Sequence, residues 1–528
     1  MTGNADIAAG SGEAADMVPR GGVGGFFLMV LGMFMAILDI QIVAASLPQI
    51  QAGVSASIDE VTWVQTAYLI AEVVMIPMSG WLSKIMSTRW LFMASSLGFT
   101  MMSLACALSW NVTSLIVFRA LQGFLGGAMI PTVFAANFKL FPPEKQMLGT
   151  VVIGLTATVA PSIGPTLGGY LTELFSWHWL FLANILPGIF VSIAVPMFVD
   201  IDRPNWSLAR KIDLPGIVLI AGFLGSLELV LDEGPREGWF ESRMILLFTV
   251  LSVVSAILLL WREMTAENPV LELHAFKNRN FAVGCILTFV LGICLYGQSY
   301  ILPQVLARVR HLNSLQIGDI MWVTGVAMFL SAPIVGRLSA VVDPRRILTV
   351  GFVVVAFGLY LNARMTDQVG FQELLWAQIV RGAGLVMCIV PITSAALGTL
   401  PKELVSGGSG LFNVFRNMGG AMGLSAINTQ WSGRFDRHYL DLSSHLSSTS
   451  QVVAERLDAL SAYFSHATVT TASAPDQLAL GLLARQMAQQ ANIMAWNDIF
   501  FMLALAFLLS IPLIFLLARP KATQIAAH

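Results

Sequence analysis

The chain has 528 residues, of which 56% are hydrophobic and only 11% charged, with a mean hydropathy of +0.75 and a formal net charge of −2. Soluble domains carry roughly 25% charged residues, so this composition indicates a polytopic membrane protein. The near-neutral charge excludes the basic footprint of a nucleic-acid-binding protein. The four cysteines lie inside apolar runs without CxxC spacing, which predicts neither a disulfide framework nor a metal site.

The first residues, 1–24, are small and polar and have no signal-peptide cleavage pattern, so we predict a disordered cytoplasmic tail. A membrane helix needs about 20 predominantly apolar residues. Fourteen stretches meet this requirement and are called spans 1 to 14 below. They begin near Phe26, Thr62, Leu91, Thr113, Met147, Trp179, Leu214, Met244, Phe281, Leu315, Ile347, Leu374, Leu404 and Asn497.

An internal repeat organises these spans into two halves. Pro77, Gly80 and Arg89 recur at one constant offset as Pro333, Gly336 and Arg345. Parallel halves of this kind are one of the repeat architectures of transporters. The prediction is an all-α fold with an N-terminal six-helix bundle over 25–200, two inserted helices with their loops over 201–280, a C-terminal six-helix bundle over 281–518, and a cytoplasmic tail at 519–528.

The distribution of Lys and Arg predicts the orientation. Most of them fall on one side of the membrane when the N-terminus is placed inside, as expected for cytoplasmic loops. Both termini are therefore predicted to be cytoplasmic. The longest polar loop, 430–495, is then periplasmic, and its two amphipathic stretches predict either a pair of short helices that pack on each other or a docking surface for a partner.

Charged residues inside the spans are the first candidates for function, because they are costly at membrane depth. Asp39 in span 1 and Glu72 in span 2 are each either a proton carrier or a hydrogen-bonded structural group. Arg119 in span 4 needs a carboxylate or several carbonyls, and it either couples protonation to packing or acts as a static latch.

Other charged residues carry less weight. Arg416 in span 13, like Arg119, is a permanent charge that needs a carboxylate or several carbonyls as partners. Arg381 is expected nearer a helix end, from where its side chain can reach water. Glu228 and Asp232 are expected to face the outer water, without a role. A large, adaptable apolar cavity is predicted, although packing alone also explains each of its candidate residues. These candidates are Met33, Phe34, Met129, Phe134, Phe412, Asn413, Phe415 and Arg416.

Span 5 contains an unusual concentration of glycine and proline. Pro161, Gly164, Pro165, Gly168 and Gly169 lie within nine residues. Glycine permits close helix approach and proline kinks a helix, so we expect a bent helix packed tightly against a neighbour. Trp177 and Trp179, beyond its end, are expected at the membrane interface.

These motifs resemble those of a known family. GPTLGG in span 5 resembles the antiporter signature of the major facilitator superfamily, and the following WHWLFLANILP resembles its fourteen-helix branch of EmrB/QacA-type drug:proton antiporters. LDIQIVAASLP in span 1 resembles the LDxTIVNVALP motif of these exporters. Arg119, Gln122, Gly123 and Gly127 match the span 4 motif shared by proton-driven members.

The resemblance covers about residues 25–518 and is closest to EmrB-like multidrug export permeases. It implies a major facilitator fold, and proton-coupled export of hydrophobic small molecules from the bacterial inner membrane. It also implies that Asp39, Glu72 and Arg119 take part in proton coupling. It further implies a periplasmic adaptor protein and an outer-membrane channel as partners of the lipid-embedded permease.

One motif departs from the pattern of the superfamily, although EmrB-like members share the departure. The loop motif GxLaDrxGrk appears here as GWLSKIMSTR, with Lys84 in the place of the acidic residue. The usual charge relay through that acid cannot operate, so gating on the cytoplasmic side must differ in detail.

The sequence also bears on alternative functions. The chain has no nucleotide-binding motif and no catalytic dyad at membrane depth, which argues against an enzyme and against a cofactor. A dedicated exporter or importer of one metabolite, such as a siderophore or a fatty acid, remains open. A scaffold without transport would not need buried acids and arginines.

Overall fold

The computed structural model describes residues 22–211, 213–266, 270–310, 312, 314–446, 451–467 and 475–518, and all regular elements in these ranges are helical. Each predicted span start falls on a helix or within two residues of one. The bounds of spans 1 to 14, in order, are Gly22–Ala45, Ile58–Met86, Thr88–Ala107, Val112–Leu140, Pro143–Leu174, Trp179–Phe198, Leu214–Glu233, Arg243–Thr265, Arg279–Arg310, Ser314–Val341, Pro344–Asn362, Phe371–Leu397, Lys402–Ser444 and Pro475–Leu509.

Within the described ranges, twelve helices are long and apolar enough to cross a membrane, and bent span 5 makes a thirteenth. The predicted span that is not among these thirteen is span 13, Lys402–Ser444, which carries Asn413, Arg416 and several glycines and is therefore less apolar. Its residues from Val405 to Gly423 are nevertheless largely buried among other helices. The predicted tails fall outside the described residues, except that residues 22–24 already belong to span 1.

Polar residues between the apolar runs set where several spans begin. At the start of span 2, the Ser57 hydroxyl accepts from the Glu60 amide at 3.2 Å while the Glu60 carboxylate accepts from the Ser57 amide at 2.9 Å. Asn111 accepts from the Ser114 amide at 2.7 Å at the start of span 4. These side chains satisfy amide groups that a helix leaves free at its first turn.

Span 5 is bent, with an angle of 42° between Leu148–Pro161 and Ile163–Leu174. A proline removes one backbone hydrogen bond and crowds the preceding turn, which explains a bend at Pro161. Beyond this helix, the Trp177 ring packs against Gly53 and is 8% exposed, while Trp179 is 44% exposed. The short helix Leu47–Val54 therefore covers Trp177, and the interfacial position of both rings stays a prediction.

The two halves meet along a small number of helices. Span 13 packs against span 2 and the second part of span 4, and span 10 packs against span 5. The inserted spans 7 and 8 pack on each other, and span 7 also contacts spans 2 and 13. Span 7 therefore touches both halves at the junction between them.

One end of the molecule, here called the basic end, carries several ion pairs. Asp202 accepts from the Thr88 amide at 2.7 Å and from Lys139 Nζ at 3.0 Å, which ties the segment after span 6 to spans 3 and 4. Lys84 at the end of span 2 pairs with Glu272, just before span 9. The basic end is thus held by contacts between segments that are distant in the chain.

The predicted polar loop 430–495 is instead largely helical. Span 13 continues to Ser444, an accessory helix covers Gln451–Ala467, and span 14 begins at Pro475 and packs on the accessory helix. Ion pairs join spans 13 and 14: Asp498 of span 14 lies 2.5 Å from Arg434 Nη1 and 3.0 Å from His438 Nε2 of span 13. Without a helix breaker the spans continue past their apolar parts, so the second amphipathic stretch is the start of span 14 rather than a separate short helix.

Candidate functional site

A fully buried carboxylate lies at the centre of the N-terminal half. The Asp39 Oδ2 atom of span 1 lies 2.5 Å from Arg119 Nη1 of span 4, and both side chains are 0% exposed. The Asn184 amide of span 6 donates to Asp39 Oδ1 at 2.7 Å, and Gln122 Nε2 lies 3.4 Å from the same oxygen. Asp39 of span 1 is therefore held by side chains from two other helices, spans 4 and 6, with its negative charge compensated by one guanidinium.

Arg119 makes several further contacts. Its Nη1 donates to Gln122 Oε1 at 2.8 Å, its Nε donates to the Val64 carbonyl at 3.3 Å, and its guanidinium lies 4.2 Å from the Tyr68 ring centroid. Its Nη2 atom has no partner among the described residues. Protonation of Asp39 would leave a buried, permanently charged Arg119 without its counter-ion, which is costly unless the helices rearrange. The pair can therefore couple proton binding to helix packing.

Glycines of the span 4 motif allow this arrangement. A Cβ atom on Gly123 would lie 2.3 Å from the Tyr68 carbonyl oxygen, and one on Gly127 would lie 2.8 Å from the Glu72 carbonyl oxygen. Spans 2 and 4 can approach this closely only where side chains are absent. The motif therefore sets the distance between Arg119 and the helix that carries Glu72.

Glu72 belongs to a different electrostatic environment from Asp39. It is 4% exposed, and the charged groups that act on it are first Arg416 of span 13, then Arg119 and Asp39. Arg416 is 7% exposed and lies 5.4 Å from the ring centroid of Phe134 in span 4. Arg416 of span 13 and Arg119 of span 4 thus both act on Glu72, whereas Asp39 forms a direct ion pair with Arg119.

The glycines of span 5 lie against span 1 close to Asp39. A Cβ on Gly164 would lie 2.4 Å from the Gln41 Cβ, and one on Gly168 would lie 2.8 Å from the Ser46 hydroxyl and 3.0 Å from the Ile42 carbonyl oxygen. A movement of span 5 would therefore also displace span 1, which carries Asp39.

The predicted cavity residues form a packed cluster. Met33, Met129 and Phe412 are buried in one core, and Phe412 lies 6.2 Å from Phe134. Phe34 is half-buried on span 1, and Phe415 packs on Phe276 at 5.7 Å. Asn413 donates to the Ser409 carbonyl of its own helix at 2.8 Å. The cluster joins spans 1, 4 and 13 across the two halves.

Two expectations about charged residues are wrong. Arg381 does not reach a helix end: it is 5% exposed and donates to Thr324 at 2.5 Å and to Gln378 at 2.8 Å. Glu228 and Asp232 do not simply face water, because both are partly buried and Asp232 accepts from the Thr66 hydroxyl. Both errors arise because packing of neighbouring helices, rather than position along one helix, decides exposure.

Sequence reasoning also missed several partners. Asn184 was part of a recognised motif, yet its bond to Asp39 joins residues far apart in the chain. Glu272 gave no signal, since an acidic residue in a loop is ordinary. Tyr296 of span 9, which donates to Asn417 Oδ1 at 3.0 Å, looked like any aromatic residue of a span.

These features define an all-helical, multi-pass membrane protein with an acid–arginine pair buried between its spans. The model of the Major Facilitator Superfamily matches residues 29–424. Two solved structures share the fold at low identity: the human organic anion transporter MFSD10, with a TM-score of 0.56, 13% identity and coverage of 93% of this chain and 100% of that one, and the proton:xylose symporter XylE, with a TM-score of 0.54, 12% identity and coverage of 92% and 94%.

Curated relatives match almost the whole length. The colistin resistance protein EmrB of Acinetobacter baumannii is 43% identical over 91% of this chain and 93% of its own. The multidrug export protein EmrB of Escherichia coli K12 is 30% identical over 93% and 94%, and the fatty acid resistance protein FarB of Neisseria gonorrhoeae is 30% identical over 93% and 95%. The chain belongs to the Major Facilitator Superfamily of transporters and, within it, to the family of EmrB proteins. The predicted family and fold class are thereby confirmed.

Proposed function

We propose that this protein is a proton-coupled antiporter of the bacterial inner membrane that exports hydrophobic or amphipathic compounds. The observation that carries the proposal is the fully buried pair of Asp39 and Arg119, with Asn184 as a third partner. A relative named for multidrug export and one named for colistin resistance support the substrate class. The predominance of Lys and Arg at the basic end supports a cytoplasmic position for that end and for both termini.

The mechanism follows from the pair. In the ion-paired state, Arg119 holds spans 1 and 4 together through Asp39. A proton that arrives from the periplasm binds the carboxylate, the pair loses its Coulomb attraction, and the buried guanidinium must find other partners. Substrate that enters from the cytoplasm favours the opposite rearrangement, in which Asp39 releases its proton. The glycines of span 5 allow this helix to lie in close contact with span 1 during the rearrangement.

We further propose that the chain acts as the permease of a tripartite system, with a periplasmic adaptor and an outer-membrane channel. The support is the accessory helix and the helical extensions around it, which expose Leu440, Val452, Tyr463 and Leu480. Contiguous exposed apolar side chains mark interaction surfaces, and we propose that these four side chains form part of one.

A dedicated exporter of fatty acids is the second candidate, favoured by the likeness to a fatty acid resistance protein. Purified protein in proteoliposomes with a trapped pH indicator separates the two. Addition of colistin and of oleate should each cause proton movement if the chain is a multidrug antiporter, whereas only oleate should do so for the dedicated exporter. Absence of proton movement with both, together with uptake of either compound into intact cells, would contradict the proposal.

A further inference from the structure

Within the described residues, a buried arginine of the C-terminal half is bonded only to neutral side chains. Arg381 of span 12 is 5% exposed, and its Nη2 atom donates to the Thr324 hydroxyl of span 10 at 2.5 Å and to Gln378 Oε1 at 2.8 Å. The Thr324 hydroxyl in turn donates to Gln378 Oε1 at 2.9 Å. These three side chains are called the Arg381 triangle below, and they lie where spans 10 and 12 meet.

The positive charge of this triangle has no counter-ion in the part of the chain that the structure describes. Span 10 has a single acid, Asp319, and span 12 has a single acid, Glu373, and both are exposed. Glu373 accepts from the Gly370 amide at the start of its own helix. A guanidinium does not lose its proton in a protein, and a buried charge without a partner is costly. Arg381 therefore lacks the negative charge that its burial requires.

Two nitrogen donors of the Arg381 triangle are also unused. Arg381 Nε and Gln378 Nε2 are both buried, and neither has an acceptor among the described residues. A buried donor without an acceptor is unfavourable. A carboxylate accepts hydrogen bonds without donating any, and its bonds to a guanidinium are among the strongest in proteins. An anion would therefore match both the charge and the free donors of the triangle.

Span 11 brings a further polar side chain to the same level. A Cβ on Gly351 would lie 3.0 Å from the Cys388 Sγ, and one on Gly358 would lie 3.0 Å from the Arg381 Cβ, so spans 11 and 12 run antiparallel. Asn362 follows about one turn after Gly358 and therefore lies near the level of Gln378. It is fully buried, and neither its nitrogen nor its oxygen has a partner within the described ranges.

The N-terminal half contains a related arrangement. The run RALQG from Arg119 in span 4 corresponds to QIVRG from Gln378 in span 12, with arginine and glutamine exchanged. The glycine that ends each run fixes the correspondence. A Cβ on Gly123 would lie 2.3 Å from a carbonyl oxygen of span 2, and one on Gly382 would lie 2.6 Å from a carbonyl oxygen of span 10. Both halves therefore hold one arginine and one glutamine at the same helix contact.

The acid of this arrangement is present in only one half. The residues LPQ at 47–49, which follow Asp39, recur as LPQ at 302–304 in span 9. The same offset places Cys294, a neutral and buried residue, in the position of Asp39. The C-terminal half thus keeps a buried arginine where its own sequence has no carboxylate to pair with it.

We propose that Arg381, Gln378 and Asn362 bind a monovalent anion, which takes the part in the C-terminal half that the Asp39 carboxylate has in the N-terminal half. The anion is either the carboxylate of an amphipathic compound or chloride, because both are negatively charged acceptors. It accepts from Arg381 Nε and Gln378 Nε2 and compensates the guanidinium. The site itself does not depend on proton coupling. Only the assignment of a transported compound as its ligand rests on the proposed export.

The first test measures thermal unfolding of the purified full chain in sodium sulfate, with sodium chloride or sodium octanoate added at constant ionic strength. Either anion should raise the Tm of wild type in a saturable manner, because a ligand that binds only the folded state stabilises it. Arg381→Gln should lose this rise. Arg364→Gln, which changes an exposed arginine after span 11, should keep it. A rise with octanoate identifies a carboxylate as ligand, and a rise with chloride alone identifies chloride. The same wild-type Tm in all three salts would overturn the inference.

A second variant keeps the test decisive if Arg381→Gln does not fold. Gln378→Glu places a carboxylate where the Gln378 Oε1 already lies 2.8 Å from Arg381 Nη2, so that the chain supplies the counter-ion itself. In sulfate it should unfold at a higher Tm than wild type, and neither chloride nor octanoate should raise that Tm further. A response of Gln378→Glu to these anions equal to that of wild type would contradict the proposed site.

The third test asks whether a transported carboxylate is the ligand. In proteoliposomes, Arg381→Gln should raise the KM for oleate by at least about tenfold, as expected for loss of a hydrogen bond to a charged group, and leave the KM for the cationic colistin unchanged. Arg381→Lys, which keeps the charge, should restore part of the affinity for oleate. An unchanged KM for oleate, together with a Tm rise in chloride alone, would assign the site to chloride. If wild type moves no protons with either probe, the proposed function fails, and the Tm measurements still decide whether the anion site exists.

Discussion

Lys84 of span 2 pairs with Glu272, which lies in the segment that leads from the insertion into span 9. The pair sits over the point where spans 2 and 13 cross, because a Cβ on Gly80 would lie 2.5 Å from the Gly407 Cα, and one on Gly407 would lie 2.7 Å from the Glu272 side chain. Lys84 stands at the acidic position of the loop motif, and Glu272 supplies a carboxylate from another segment. This contact at the basic end therefore has its positive charge on span 2 and its negative charge in the segment before span 9.

The first prediction concerns this contact. Lys84→Glu or Glu272→Lys alone should favour opening of the basic end by roughly fivefold, which corresponds to about 1 kcal/mol for a partly exposed ion pair. The double charge reversal should restore closure. The measurement is maleimide labelling of Ser409→Cys, because Ser409 is buried and donates to the Pro131 carbonyl across the halves at 3.0 Å.

The control for this experiment is Arg337→Glu, which changes an exposed charge on span 10. It should leave labelling of Ser409→Cys unchanged. A double reversal that labels as fast as either single variant would show that the two charges do not act as a pair.

The second prediction is that Asp39 is required for proton coupling. Asp39→Asn should abolish substrate-induced proton release in everted vesicles, because the amide does not take up and release a proton in this range. It should also lower stability by up to about 3 to 5 kcal/mol, since Arg119 keeps its buried charge without a carboxylate. Asp436→Asn, on an exposed part of span 13, serves as control. Unchanged proton release would exclude Asp39 and transfer the role to Glu72.

The third prediction concerns the contact between spans 1 and 5. Gly164→Leu or Gly168→Val should force these helices apart, at a cost of about 1 to 3 kcal/mol from overpacking. We expect lost export together with a proton leak in a protein that still reaches the membrane. A Cβ on Gly481 would meet no heavy atom within 4 Å, so Gly481→Leu is a suitable control. Export without a leak in both span 5 variants would show that this contact does not restrain the proton.

The fourth prediction addresses the accessory helix. Val452→Glu combined with Tyr463→Glu places charges on two side chains that are 75% and 65% exposed, so folding should be unaffected. If an adaptor docks there, resistance of intact cells should fall while transport in proteoliposomes stays normal. Loss of both would mean that this helix supports the transporter itself, and retention of both would argue against docking at this surface.

Much of the architecture follows from the chain alone, because long apolar runs bounded by polar turns have few alternatives in a membrane. The positions of all fourteen spans, the repeat and the bend in span 5 could be predicted in this way. The weakest point was the segment 430–495, where polar composition suggested a loop although both flanking helices extend into it. The composition of a segment indicates whether it lies in the membrane or in water, but it does not determine where the helix ends.

The candidate site, like the fold, could be predicted only in part from the sequence. The sequence by itself determined that Asp39, Glu72 and Arg119 are buried charges, because an ionisable residue inside an apolar run has no water nearby. Only the tertiary structure decided which charged groups pair: Asp39 with Arg119 and Asn184, and Lys84 with Glu272. These contacts join helices that are far apart in the chain, and their pairing depends on which faces pack together. Hydropathy along one helix carries no information about that choice.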